Sequence, residues 1–146
     1  MITIFCVLVI ILGLITWIGQ TISFFAPTLA EKLGVSERKS EIDDSLYIVE
    51  SKAMGLMDFL TTWTMPLAGV LLLLENTLWP YFGLVGASIY LYYSGVIIFS
   101  RIYLKSYGKK IGSIASVKTA YIYGMVSIVV SLIMIAMAVN NLTVHQ

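Results

Sequence analysis

The sequence predicts an all-α, polytopic membrane protein: four transmembrane helices in an antiparallel bundle, with a short amphipathic helix in the first loop. Three observations predict it. Of the 146 residues, 59% are hydrophobic and only 12% are charged, against about 45–50% and about 25% in a soluble domain, and the mean hydropathy is +0.93. The apolar residues come in four long blocks instead of the short periodic runs of a soluble core. All nine Lys and Arg residues sit in two segments between those blocks: Lys32, Arg38, Lys39 and Lys52, then Arg101, Lys105, Lys109, Lys110 and Lys118. Cations in short loops stay on the cytoplasmic side of a bilayer. Both basic loops are therefore expected in the cytoplasm and both termini outside, in the cell membrane of a prokaryote.

Span 1 is expected at about Ile2–Gln20, with a continuation toward Phe25; no charge precedes Glu31, and about 20 apolar residues suffice to cross the hydrocarbon. It lacks the basic leading region and small-residue cleavage site of a signal peptide, so it reads as a retained helix. Thr16, Gln20 and Ser23 follow at helical spacing and give it one mildly polar edge.

The loop Ala26–Ser51 reads as structured. Pro27 suits the first turn of a short helix and Gly34 its end, and Ser36 suits the cap of a second helix. Ile42, Leu46 and Val49 recur at helical spacing among acids, as in an amphipathic helix lying at the membrane surface. Counted with Lys52, this loop holds six acids and four bases.

Span 2, about Ala53–Leu74, contains Asp58, the run Thr61-Thr62-Trp63-Thr64, and Pro66. The short turn Glu75-Asn76-Thr77 folds it back on span 3, about Leu78–Ser100, whose Trp79 and Tyr81 mark an interface. The second loop, Arg101–Lys118, has five bases and no acid, with Gly108 and Gly112 inside it. Span 4 is about Thr119–Val139, followed by the tail Asn140–Gln146. No repeat or second domain is visible, and the chain reads as one domain, 1–146.

Asp58 is the one acid within a span, and a carboxylate in hydrocarbon usually faces a partner or a wet cavity. Thr61 and Thr62 share its face, and Pro66 cannot donate to the Thr62 carbonyl. One reading makes Asp58, Thr61, Thr62 and Pro66 a pathway for a solute, an ion or a proton. The simpler reading, which the position near the inner interface favours, pairs Asp58 with Lys52 or Arg101 and bonds the threonines to their own backbone. Tyr90, Tyr92 and Tyr93 lie at membrane depth, where a phenol wants a hydrogen-bond partner; they either line a pocket for a lipophilic ligand or pack between helices. Tyr103, Tyr107, Tyr121 and Tyr123 read as an interfacial belt. Gly83, Ala87 and Ser94, with Gly124, Ser127, Ser131 and Ala138, are faces on which helices approach closely. Arg101, Lys105, Lys109 and Lys110 are candidate contacts to anionic lipid headgroups, at about 1 kcal/mol each. Glu41, Asp43, Asp44 and Glu50 are placed to pair with the basic loop and close that end of the bundle.

The catalytic inventory is poor. The single histidine is His145, the single cysteine is Cys6 inside the first apolar block, and no glycine-rich phosphate loop is present. No catalytic residue, metal or cofactor is assigned. The net charge of +1 lacks the basic face that nucleic acid demands, so the expected partners are the lipid bilayer and a second copy or another membrane protein.

The stretch Trp63-Thr64-Met65-Pro66-Leu67-Ala68-Gly69, then Gly86-Ala87-Ser88-Ile89-Tyr90-Leu91-Tyr92-Tyr93-Ser94-Gly95, with Arg101 and the Gly108–Gly112 segment, resembles the BphX-like family of small four-span membrane proteins. The resemblance implies a helical integral membrane protein and no catalytic residue. Three roles remain: a non-enzymatic protein that binds a lipophilic ligand or assists a partner, a small oligomeric transporter or channel working through Asp58, and a subunit of a lipid or redox enzyme.

Overall fold

The computed structural model describes residues 2–144, so His145 lies outside the described residues. Among them the chain is all-helical apart from short connections. Helix α1 is Ile2–Phe25, α2 Pro27–Lys32, α3 Asp44–Ile48, α4 Gly55–Thr61, α5 Thr64–Leu73, α6 Trp79–Ser106 and α7 Ile114–Val144; a π-helical segment, Val49–Met54, joins α3 to α4. Four rods result: α1, the stack Asp44–Leu73, α6 and α7, of 24, 30, 28 and 31 residues. At ~1.5 Å per residue each exceeds the ~30 Å hydrocarbon core. Their outward faces carry exposed Ile4, Ile18, Val85, Phe99, Ile122 and Val129, an apolar belt that a bilayer covers.

The rods run further than hydropathy alone suggests, because the amphipathic helix of the first loop is continuous with span 2. Its cap also differs from expectation. Ser36 caps no helix; the residues after it form an irregular turn, and Asp43, in an extended conformation, accepts from the Ser45 N–H at 3.0 Å to start α3. Pro27 begins α2 as expected.

The order of packing follows the chain. Helix α1 lies along α4 and α5, α5 along α6, and α6 along α7. The second rod breaks at Thr62-Trp63, just before Pro66, and glycines clamp the break from both sides. A Cβ on Gly13 of α1 would stand 2.5 Å from Pro66 Cδ, and one on Gly86 of α6 would stand 2.7 Å from the Met65 nitrogen. Neither contact tolerates a side chain, so the two neighbouring helices approach the break as closely as backbone permits. The small faces of α6 and α7 meet inside the bundle, with Gly83 against Met134 and Gly124 against Ile98. Cys6, Val9, Met65, Ala87, Tyr90 and Met134 form the centre of the core.

At the end carrying the charged loops, the loops are joined to each other. Ile42 pairs with Ile111 in an antiparallel bridge, the Asp43 N–H donates to the Lys110 carbonyl at 2.9 Å, and the Gly112 N–H to the Glu41 carbonyl at 3.1 Å. These bonds tie the connection before the second rod to the connection before the fourth.

Candidate functional site

The first and fourth rods make only slight contact, and a cleft of about 740 Å³ opens between them toward the charged end. Its long wall is aliphatic: Ile11, Leu14, Ile15 and Ile18 of α1, with Ile97 of α6 and Ala120 of α7. Polar groups gather at its inner side and at its mouth. Thr16, Gln20 and Ser23, the mildly polar edge of span 1, line it directly.

Two tyrosines reach across to α1 beside the cleft. The Tyr123 hydroxyl donates to the Leu12 carbonyl at 2.9 Å and meets the Thr16 hydroxyl, spanning from α7 to α1. The Tyr93 hydroxyl of α6 accepts from the Gln20 amide. Each phenol satisfies its polar tip while its ring stays among apolar side chains. Tyr123 therefore works inside the bundle, not in the interfacial belt where the sequence placed it.

At the mouth, Arg101 grips Glu50 with two hydrogen bonds, Nη1 to Oε1 at 2.6 Å and Nη2 to Oε2 at 3.2 Å. Their side chains are 6% and 24% exposed. This fork-to-fork geometry is the strongest arrangement open to an ion pair. Glu50 sits in the π-helical segment, whose wider turn shifts the facing of every residue beyond it; such segments recur at functional sites. Glu37, also at the mouth, accepts from the Ser116 hydroxyl at 2.7 Å. Behind it, Lys109 Nζ lies 3.2 Å from Asp43. The ammonium of Lys109 and the Ser45 N–H hold the Asp43 carboxyl below its ordinary range.

The sequence-predicted residues fall into two places. Asp58, Thr62, Pro66 and Tyr90 converge at the helix break, away from the cleft. Thr62 donates its hydroxyl to the Asp58 carbonyl at 2.7 Å, and Tyr90 donates to the Gly13 carbonyl at 2.9 Å with the Thr62 carbonyl at 3.3 Å. Thr61 turns away, bonding the Met57 carbonyl at 2.7 Å. The threonines thus serve their own backbone. The expected partners of Asp58 are elsewhere: Arg101 belongs to Glu50, and Lys52 reaches the Phe24 carbonyl at 3.3 Å. Of the basic set, Arg101 is buried; Lys105 and Lys110 are exposed, and Lys109 is engaged with Asp43.

Glu37 was not singled out by the sequence; Glu50 was expected to meet the basic loop, Tyr93 to line a pocket or pack between helices, and Tyr123 to lie in an interfacial belt. Gln20 belonged to the polar edge of α1, a signal that named no partner. No family model, curated protein or solved structure matches the chain.

Proposed function

We propose that this protein binds an amphiphilic, lipid-like molecule without transforming it, and that the molecule enters sideways from the bilayer between α1 and α7. The observation that carries the reading is the cleft itself, an aliphatic wall on the lipid-facing side that ends in a cluster of polar groups. Ligand sites are concave, mostly apolar, and carry a few fixed polar groups. An acyl or prenyl tail fits against Ile11, Leu14, Ile15 and Ile18. A polar head fits beside Gln20, Tyr93 and the Glu50–Arg101 pair. The cleft opens at the charged end, which we infer to be cytoplasmic because the second loop has five bases and no acid, so the ligand comes from the inner leaflet. The likeness of the 63–112 region to BphX-like proteins bears on the four-span topology and leaves the activity open.

The test is retention of lipid through purification. Wild-type protein is expected to keep a stoichiometric amphiphile after detergent washing, read by mass spectrometry of the intact complex. Ala120→Trp, which fills the cleft, loses it; Val129→Trp, on the exposed face of α7, keeps it. Equal retention by the two variants would remove the cleft as the binding site.

A further inference from the structure

Asp58 carries a second inference, independent of the lipid-binding reading. Its side chain is buried, 6% exposed, and its Oδ2 has no hydrogen-bond partner. The ion pairs among the described residues are Arg101–Glu50 and Lys109–Asp43, and Asp58 belongs to neither.

The surroundings hold no cation for it. Helix α1, packed along α4, contains no Asp, Glu, Lys, Arg, His or Tyr from Ile2 to Phe25; its one titratable side chain is Cys6, near the opposite end. The π-helical segment brings Glu50 and Lys52. Glu50 is held by Arg101, and Lys52 turns its ammonium to the Phe24 carbonyl and over the Phe24 ring. From α6, Tyr90 and Tyr93 lie within range of the carboxylate's charge. Tyr90 spends its proton on backbone carbonyls, and the Tyr93 oxygen accepts from the Gln20 amide. Trp17 caps the neighbouring Phe59 carbonyl at 3.1 Å, and Thr62 bonds the Asp58 carbonyl, not its carboxylate. None of these groups is hydrogen-bonded to the Asp58 carboxylate. A bare carboxylate in such a place costs far more than any single hydrogen bond returns, so buried charges are paired or neutralised.

We propose that Asp58 is a cation-accepting site within the bundle, neutralised by a small monovalent cation, either H⁺ or an alkali ion, that arrives from the charged end. Glu50 lies eight residues earlier, about 12 Å along the rod. Gln20 and Tyr93 line the cleft between that end and the core, so a polar route leads part of the way. In lipid, an interior acid is rare and costly, and such residues mark ion paths and proton relays.

Infrared spectra of the full-length protein in bilayers test it, with Asp58→Asn and Asp58→Glu alongside. If the occupant is H⁺, wild type shows a protonated-carboxyl C=O band at neutral pH that Asp58→Asn lacks entirely and Asp58→Glu shifts. If it is an alkali ion, exchanging sodium for choline shifts a carboxylate band in wild type and not in Asp58→Asn. Spectra of wild type and Asp58→Asn that coincide across the pH range and ignore sodium overturn the proposal. Should Asp58→Asn not fold, aspartate-specific isotope labelling of wild type answers the same question: a labelled carboxyl band that is neither protonated nor sodium-sensitive is equally fatal.

Discussion

The Tyr90 hydroxyl lies 3.3 Å from the Thr62 carbonyl, the acceptor that an N–H at position 66 would satisfy in an unbroken helix. Proline removes that N–H, and the Met65 N–H, at 3.3 Å, and the phenol from the neighbouring rod serve the carbonyl instead. The same hydroxyl donates to the Gly13 carbonyl of α1 at 2.9 Å. One buried atom therefore links three of the four rods at the place where one of them is broken.

Removing that atom should loosen the bundle. Tyr90→Phe keeps the ring and its packing and forfeits both contacts. Polar contacts in membrane bundles are worth about 0.6 kcal/mol on average and up to ~1.7, and a loss of about 1 kcal/mol is expected in unfolding by denaturing detergent. Tyr92→Phe, at a position 76% exposed, should change nothing in the same assay.

Gly13→Ala should be worse than Tyr90→Phe although it adds only a methyl group. That methyl would sit 2.5 Å from Pro66 Cδ and 2.8 Å from its nitrogen, so a rod must move. Overpacking costs about 1–3 kcal/mol or more. A melting temperature equal to that of wild type would show that α1 does not approach the break this closely.

Much of this was legible before folding, and the rest was not, for physical reasons. Hydropathy located four spans, and Pro66 pointed to the break at Thr62, because both are local properties. Pairing is not local. Joining Asp58 to Lys52 or Arg101 was wrong, whereas the expectation that Asp43 and Glu50 meet the basic loop holds in the pairs Asp43–Lys109 and Glu50–Arg101. The helix through Leu46 and Val49 was legible from its spacing, but the π-helical turn that joins it to span 2 was not. The cleft has no sequence signature, since it lies between the first and last rods and depends on which pair is left loosely packed.

The Arg101–Glu50 pair makes a prediction with a built-in control. Arg101→Met strands a half-buried carboxylate, and breaking a buried pair costs about 3–5 kcal/mol; with Glu50 24% exposed, water lowers the penalty toward ~2 kcal/mol. Glu50→Gln combined with Arg101→Met should recover most of it. A double mutant as unstable as the sum of the two single mutants would mean that the groups do not interact.

Acid should release the contact between the two loops. The Asp43 carboxyl is held below its ordinary range by Lys109 and the Ser45 N–H, so its folded value is depressed relative to the unfolded chain. Its stabilising effect is then fully present above the unfolded carboxylate range and disappears as pH falls through the depressed folded value. The Asp43 N–H, bonded to the Lys110 carbonyl, should exchange with solvent faster as that range is crossed. In Lys109→Met this acid dependence should begin at higher pH; an unchanged profile would mean that Lys109 does not hold Asp43.

The central claim is that a lipid-like molecule occupies the seam between α1 and α7, and a photoreactive acyl-chain probe in bilayers tests it most directly. The account predicts saturable labelling concentrated on residues 11–23 of α1 and 116–123 of α7, displaced by excess unlabelled lipid. Labelling spread evenly over every lipid-facing helix surface, including Val129 and Val85, and indifferent to competitor would contradict it.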